Sequence, residues 1–205
     1  MEGVIVLMLS QVVIKLLGLI YKLYVTNKQG FGDKGNAIYG SGFQIYALFL
    51  TISSIGVPNA ISKLVSEKVA VGDNKGAYRV LKIALALFGF IGFLCSSVMF
   101  LQASYIANNY LQIPEAEIAL IALSPSVFIV SIASVLKGYF NGRENLKVTA
   151  NSQSLEQIFK TIFTILIVEY IAMLSKNNTV LMVGGGAIAT TIATLRKRNI
   201  PIQVF

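Results

Sequence analysis

Histidine and tryptophan are both missing from the 205 residues, and cysteine occurs once, at Cys95. Without histidine there is no imidazole for a metal site, and neither a Ser-His nor a Cys-His nucleophile can be assembled. A single cysteine cannot close a disulfide within the chain. Cys95 lies inside an apolar run, where a free thiol acts as a small packing residue. Charge is also sparse: Asp, Glu, Lys and Arg make up 13% of the chain, against roughly 25% in a soluble domain. There is no Walker loop and no pair of carboxylates spaced for acid–base work. The chain is therefore not expected to be an enzyme, and no cofactor is expected.

What is abundant is apolar length. Hydrophobic residues make up 55% of the chain, and the mean hydropathy is +0.72. They fall in blocks long enough to cross a hydrocarbon core of about 30 Å at about 1.5 Å per helical residue. The expected fold class is all-α, a polytopic transmembrane helix bundle with spans at 3–25, 37–57, 80–103, 118–136, 154–174 and 180–195. Residues 1–195 would form one lobe and 196–205 a basic tail. The N-terminus carries Glu2 and no basic cluster, so the first apolar run reads as a span and not as a cleaved signal. A glycine-rich loop is expected over 27–36. An amphipathic surface helix is expected over 59–71, with residues 61, 64, 65 and 69 on its apolar face.

The formal charge of +8 comes without any basic patch interleaved with aromatics, so nucleic acid is not an expected partner. The basic residues sit in the connections. One side of the membrane would hold Lys63, Lys68, Lys75, Arg79, Lys82, Lys137, Arg143, Lys147, Arg196, Lys197 and Arg198; the other would hold Lys28, Lys34 and Lys176. The excess predicts that the first side, including both termini, is cytoplasmic.

Polar residues inside the spans are few and periodic. Gln11, Lys15, Gly18 and Lys22 recur at spacings of four, three and four, which places them on one narrow helix face. Lys15 lies about half-way along its span. It is either neutralised by an acidic partner for packing, or it faces a polar pathway for an anionic ligand. The fifth span carries a matching stripe of Gln153, Glu156 or Gln157, Lys160 and Thr164. There Glu156 and Lys160 are spaced to pair along the helix, so self-neutralisation competes with a binding role. Between the fourth and fifth spans, 137–147 reads as a short basic turn punctuated by Gly138 and Gly142.

Several of these stretches resemble a known family. They are Pro58-Asn-Ala-Ile-Ser-Lys-Leu-Val-Ser-Glu67, the Gly72-Asp-x-x-Gly76-Ala turn, Ser124-Pro125 followed by Phe128-Ile-Val-Ser131, Leu136-Lys-Gly-Tyr-Phe-Asn-Gly142 and Glu156-Gln157. Together they are similar to the stage V sporulation protein B group, in the polysaccharide-exporter and lipid II flippase branch of the multidrug/oligosaccharidyl-lipid/polysaccharide exporter superfamily. Lys15-Leu-Leu-Gly18-Leu-Ile-Tyr21-Lys22 resembles the basic first helix of that branch.

The resemblance implies a flippase of lipid-linked glycan precursors in the bacterial cytoplasmic membrane, working by alternating access between two lobes. Lys15 and Lys22 would meet the substrate diphosphate, with Gln11, Glu156, Gln157 and Lys160 lining the cleft. Partners would be the lipid-linked glycan, membrane lipids and enzymes of cell-envelope synthesis. The chain would then be the first lobe of a longer protein. Two rival readings are a cation-coupled multidrug exporter of the same superfamily and a non-transporting membrane scaffold.

Overall fold

The computed structural model describes residues 2–174 and 178–197, all in helices or short turns; Lys176 and positions 198–205 of the expected tail lie outside them. The elements are α1 (Glu2–Asn27), α2 (Gly32–Ser54), α3 (Val57–Ala70), α4 (Asn74–Leu101), the single turn α5 (Ala103–Tyr105), a π-helical turn (Ile106–Tyr110), α6 (Ala116–Gly142), α7 (Leu146–Leu174) and α8 (Thr179–Lys197). Five apolar segments are long enough to span a bilayer, and Thr179–Thr194 forms a shorter sixth.

Breaks between helices occur where the backbone is free to turn. Gly56 adopts φ 87° just before Pro58, which occupies the first turn of α3, so α2 ends and α3 restarts without a loop. Asp73 accepts from the Gly76 amide at 2.8 Å and caps α4.

The register of side-chain contacts sets the directions of the helices. Gln11 meets Gln153 and Tyr24 meets Glu169, so α1 and α7 run parallel. Ser54 meets Ser131, while Gly42 lies against Ala119, so α2 is parallel to α6. Ser126 meets Thr191, while Gly184 lies against Ile118, so α8 shares that direction. Gly92 abuts Ser131, and Ser96 donates to the Ser124 carbonyl, so α4 is antiparallel to α6.

The core centres on α6. Leu120, Leu123, Ser126 and Val127 are fully buried there, and the helix packs against α2, α3, α4 and α8. Pro125 lies inside α6 and removes the amide that would have bonded the Ile121 carbonyl. The Ser124 hydroxyl donates to that carbonyl at 2.8 Å, and Thr191 of α8 donates to the neighbouring Ala122 carbonyl. Serine and threonine thus satisfy the backbone groups that a proline leaves open inside a membrane. By contrast α1 sits at the rim, with Val12, Leu16, Leu19 and Leu23 exposed as lipid-facing side chains would be.

Two expectations need correction. The second helix begins at Gly32, so 32–36 is helical and not loop; the ring of Phe31 lies where a Cβ on Gly35 would stand. The basic turn at 137–147 is mostly helix, because α6 runs to Gly142 and α7 begins at Leu146. Its glycines are crossing points: a Cβ on Gly138 would stand 2.8 Å from the Pro58 carbonyl, and one on Gly142 would stand 2.6 Å from that of Ser62. On α3, Val57, Ile61 and Val65 are buried against α4 and α6, whereas Leu64 is exposed.

Candidate transport cleft

The parallel seam of α1 and α7 collects the polar residues of both stripes. Gln11 donates through Nε2 to Oε1 of Gln153 at 2.7 Å. One helical stretch further on, Gly18 leaves room for Gln157, whose Nε2 lies 3.4 Å from where a Cβ would be. Next, the Lys160 ammonium sits over the Tyr21 ring, 5.6 Å from its centroid, where the negative π-face favours a cation. At the far end Tyr24 donates to Glu169 at 2.6 Å, and Lys28 forms an ion pair with the same carboxylate. The Lys28 ammonium is held above the usual lysine range by the hydrogen bond to Glu169.

Beside this seam α1, α2, α7 and α8 enclose a cavity of about 470 Å³. It lies in the half of the bundle that holds the α1–α2 turn, away from α3. Lys22 and Lys160 both line it, together with Tyr21, Asn36, Tyr39, Phe43, Thr164 and Thr190; none of its lining residues is acidic. The Thr164 hydroxyl is buried and makes no hydrogen bond among the described residues. A buried hydroxyl left without a partner marks a place for water or a polar ligand. Two ammonium groups, hydroxyls and aromatic rings in one apolar-walled space can bind an anion that carries rings or chains.

The six residues singled out in the sequence therefore divide. Gln11 and Gln157 lie in the seam, and Lys22 and Lys160 line the cavity. Glu156 is half-buried on α7, one turn before Lys160. Lys15 is exposed and is not among the residues that line the cavity. It stands seven residues before Lys22, about 10 Å along the helix. The aromatic and hydroxyl contributions of α2 and α8 were not anticipated. Tyr39 and Phe43 are stacked at 5.9 Å, and their spacing of four was the one available signal. Thr190, which meets the Tyr39 hydroxyl at 3.4 Å, gave none.

Comparison with known proteins identifies the family. A family model described as polysaccharide biosynthesis protein matches residues 1–198. The chain is 30% identical over 160 residues to stage V sporulation protein B of Bacillus subtilis (strain 168), covering 78% of this chain and 30% of that protein. It is 28% identical over 200 residues to lipid II flippase MurJ of the same organism, covering 94% of this chain and 36% of the relative. A third relative there, the uncharacterized membrane protein YabM, is 29% identical over 161 residues, with coverages of 78% and 29%. The chain thus spans about a third of the length of these relatives. No solved structure matches it. This multi-pass helical chain belongs to the polysaccharide biosynthesis protein family.

Proposed function

We propose that the chain is a lobe of a flippase that moves lipid-linked oligosaccharide or peptidoglycan precursors across the bacterial cytoplasmic membrane by alternating access. The observation that carries this reading is the cavity lined by Lys22 and Lys160 with no carboxylate among its lining residues. A diphosphate crossing the hydrocarbon region needs cationic partners in a space that admits water. Two lysines on neighbouring helices supply them. Lys15, exposed on the same stripe of α1, would meet the headgroup before it reaches the cavity. Gln11, Glu156 and Gln157 would line the approach. The excess of basic residues in the connections on one side supports a cytoplasmic N-terminus. Membrane lipids and envelope-synthesis enzymes would be its partners.

A cation-coupled drug exporter needs acidic groups where the cargo binds, and the cavity offers ammonium groups instead. A passive scaffold would bury the Lys15 stripe against another helix, but Lys15 is exposed. The test is complementation of a strain depleted of its lipid II flippase by the whole gene that contains this segment. Lys22→Gln combined with Lys160→Gln should abolish rescue while membrane abundance stays unchanged. Full rescue by that double variant would overturn the assignment of the cavity. Ethidium efflux without rescue by the unaltered gene would favour the drug-exporter reading.

A further inference from the structure

At the opposite end of the bundle, α3 and the start of α4 form a basic elbow that the transport cleft does not use. The α3 helix is docked through Val57, Ile61 and Val65, yet its apolar surface is wider than its docked face. Leu64, about 60° round the helix from Ile61 at 3.6 residues per turn, is 50% exposed, and Val71 at the helix end is 76% exposed. Tyr78 on the first turns of α4 is 47% exposed. Interleaved with them are Lys63, Lys68, Lys75, Arg79 and Lys82, all exposed, against only Glu67 and Asp73 over 57–84. Lys68 reaches Asp73 at 4.0 Å and Lys82 lies over the Tyr78 ring. Among the described residues, Lys63, Lys75 and Arg79 form no ion pair.

The depth of the elbow follows from the helix that it crosses. Twenty-seven residues of α6 rise about 40 Å, roughly 10 Å more than the hydrocarbon core. The α3 helix crosses α6 at its last two turns, Gly138 to Gly142. The elbow therefore sits at headgroup level, with apolar side chains and unpaired cations side by side. A soluble acidic protein would match the charges but leave Leu64 and Val71 without a partner at that depth.

We propose that this elbow is a binding site for acidic phospholipid, with Leu64, Val71 and Tyr78 entering the acyl boundary and Lys63, Lys75 and Arg79 holding the phosphate. The inference is independent of what the lobe transports. The absence of tryptophan makes the test direct. The full chain carrying Leu64→Trp is reconstituted in vesicles containing either brominated phosphatidylglycerol or brominated phosphatidylcholine at equal mole fraction. The same is done for Phe90→Trp, at a lipid-exposed site mid-way along α4.

The Leu64→Trp fluorescence should be quenched at least about twofold more by the acidic lipid, as attraction of a few basic residues to a charged leaflet predicts. Phe90→Trp should show no preference. Adding Lys63→Gln, Lys75→Gln and Arg79→Gln to Leu64→Trp should equalise the two lipids. Equal quenching of Leu64→Trp, or a preference that survives the three neutral substitutions, would overturn the site. So would the same preference at Phe90→Trp. Equal quenching together with binding of a soluble polyglutamate peptide would transfer the surface to an acidic protein partner and also overturn the proposal.

Discussion

A Gly→Ala substitution has opposite expected signs at two helical positions of this protein. Alanine is favoured over glycine inside a helix by up to about 1 kcal/mol. Gly89 on α4 has nothing within 4 Å of where an added methyl would stand, so Gly89→Ala should collect that gain. At Gly142 the same methyl would stand 2.6 Å from the Ser62 carbonyl and 2.7 Å from the Cβ of Val65, where ordinary contact begins at 3.4 Å. The carbonyl belongs to the α3 backbone and cannot rotate away, so α3 must retreat by about 0.8 Å. That movement loosens Ile61 and Val65, which are 3% and 0% exposed. Overpacking of this kind costs about 1–3 kcal/mol.

The two variants should therefore differ by about 2–4 kcal/mol, in favour of Gly89→Ala. For a chain of this length each kcal/mol moves Tm by about 2–4 °C, so melts in detergent followed by helical circular dichroism should separate by at least about 4 °C. Gly142→Leu should be worse still. If Gly142→Ala melts with or above the unaltered chain, α3 does not cross α6 at Gly142. The segment 137–147 would then be the turn that its glycines suggest.

Two further outcomes concern the α1–α7 seam. Because Glu169 raises the pKa of Lys28, the Lys28 pair contributes fully below the unfolded lysine value of 10.5 and is lost as pH rises through the raised value. Spin labels at Leu23→Cys and Tyr170→Cys in a Cys95→Ala, Tyr24→Phe background should stay close at neutral pH and separate in base. Glu169→Gln should separate them at neutral pH and remove the basic step; a distance unchanged by base would refute the clasp. In the cavity, Lys22→Cys on the Cys95→Ala background should react with an anionic thiosulfonate faster by about fivefold when Lys160 is present than with Lys160→Gln. One charge at several ångströms in a partly wet site gives an effect of that order. A cationic reagent should show the reverse ratio, and no change with either reagent would remove Lys160 from the cavity.

How much of this was legible depended on whether the signal was periodic along one helix or made between helices. The α1 stripe was readable because Gln11, Lys15, Gly18 and Lys22 interrupt an otherwise apolar run at helical spacing. Lys160 and Gln157 on α7 were readable for the same reason. That Lys22 lines a cavity while Lys15 does not could not be read, because that cavity is walled in part by α2 and α8. Glycine misled the reading at 137–147 because it serves both tight turns and close helix crossings. Only the position of α3 distinguishes the two. The central role of α6 was hidden by uniformity: Ala119, Leu120, Leu123, Ser124 and Val127 are buried at helical spacing, but the exposed positions beside them include the equally apolar Ile118 and Ile121, so composition does not mark the buried face.

The same arrangement explains why α1 can hold the cationic stripe. Packing against α6 engages α2, α3, α4 and α8, whereas α1 rests mainly on α7 and enters the core at Val25, in the buried cluster that includes Val168 and Ala172. Its attachment combines polar contacts through Gln11, Tyr24 and Lys28 with the half-buried Ile14, Leu17 and Tyr21 and the buried Val25. Hydrogen bonds between membrane helices are individually modest, about 0.6 kcal/mol on average. The seam leaves Lys22 of α1 and Lys160 of α7 on the wall of the cavity that opens beside it, so the stripe is held in place by the same two helices that expose its charge to that space.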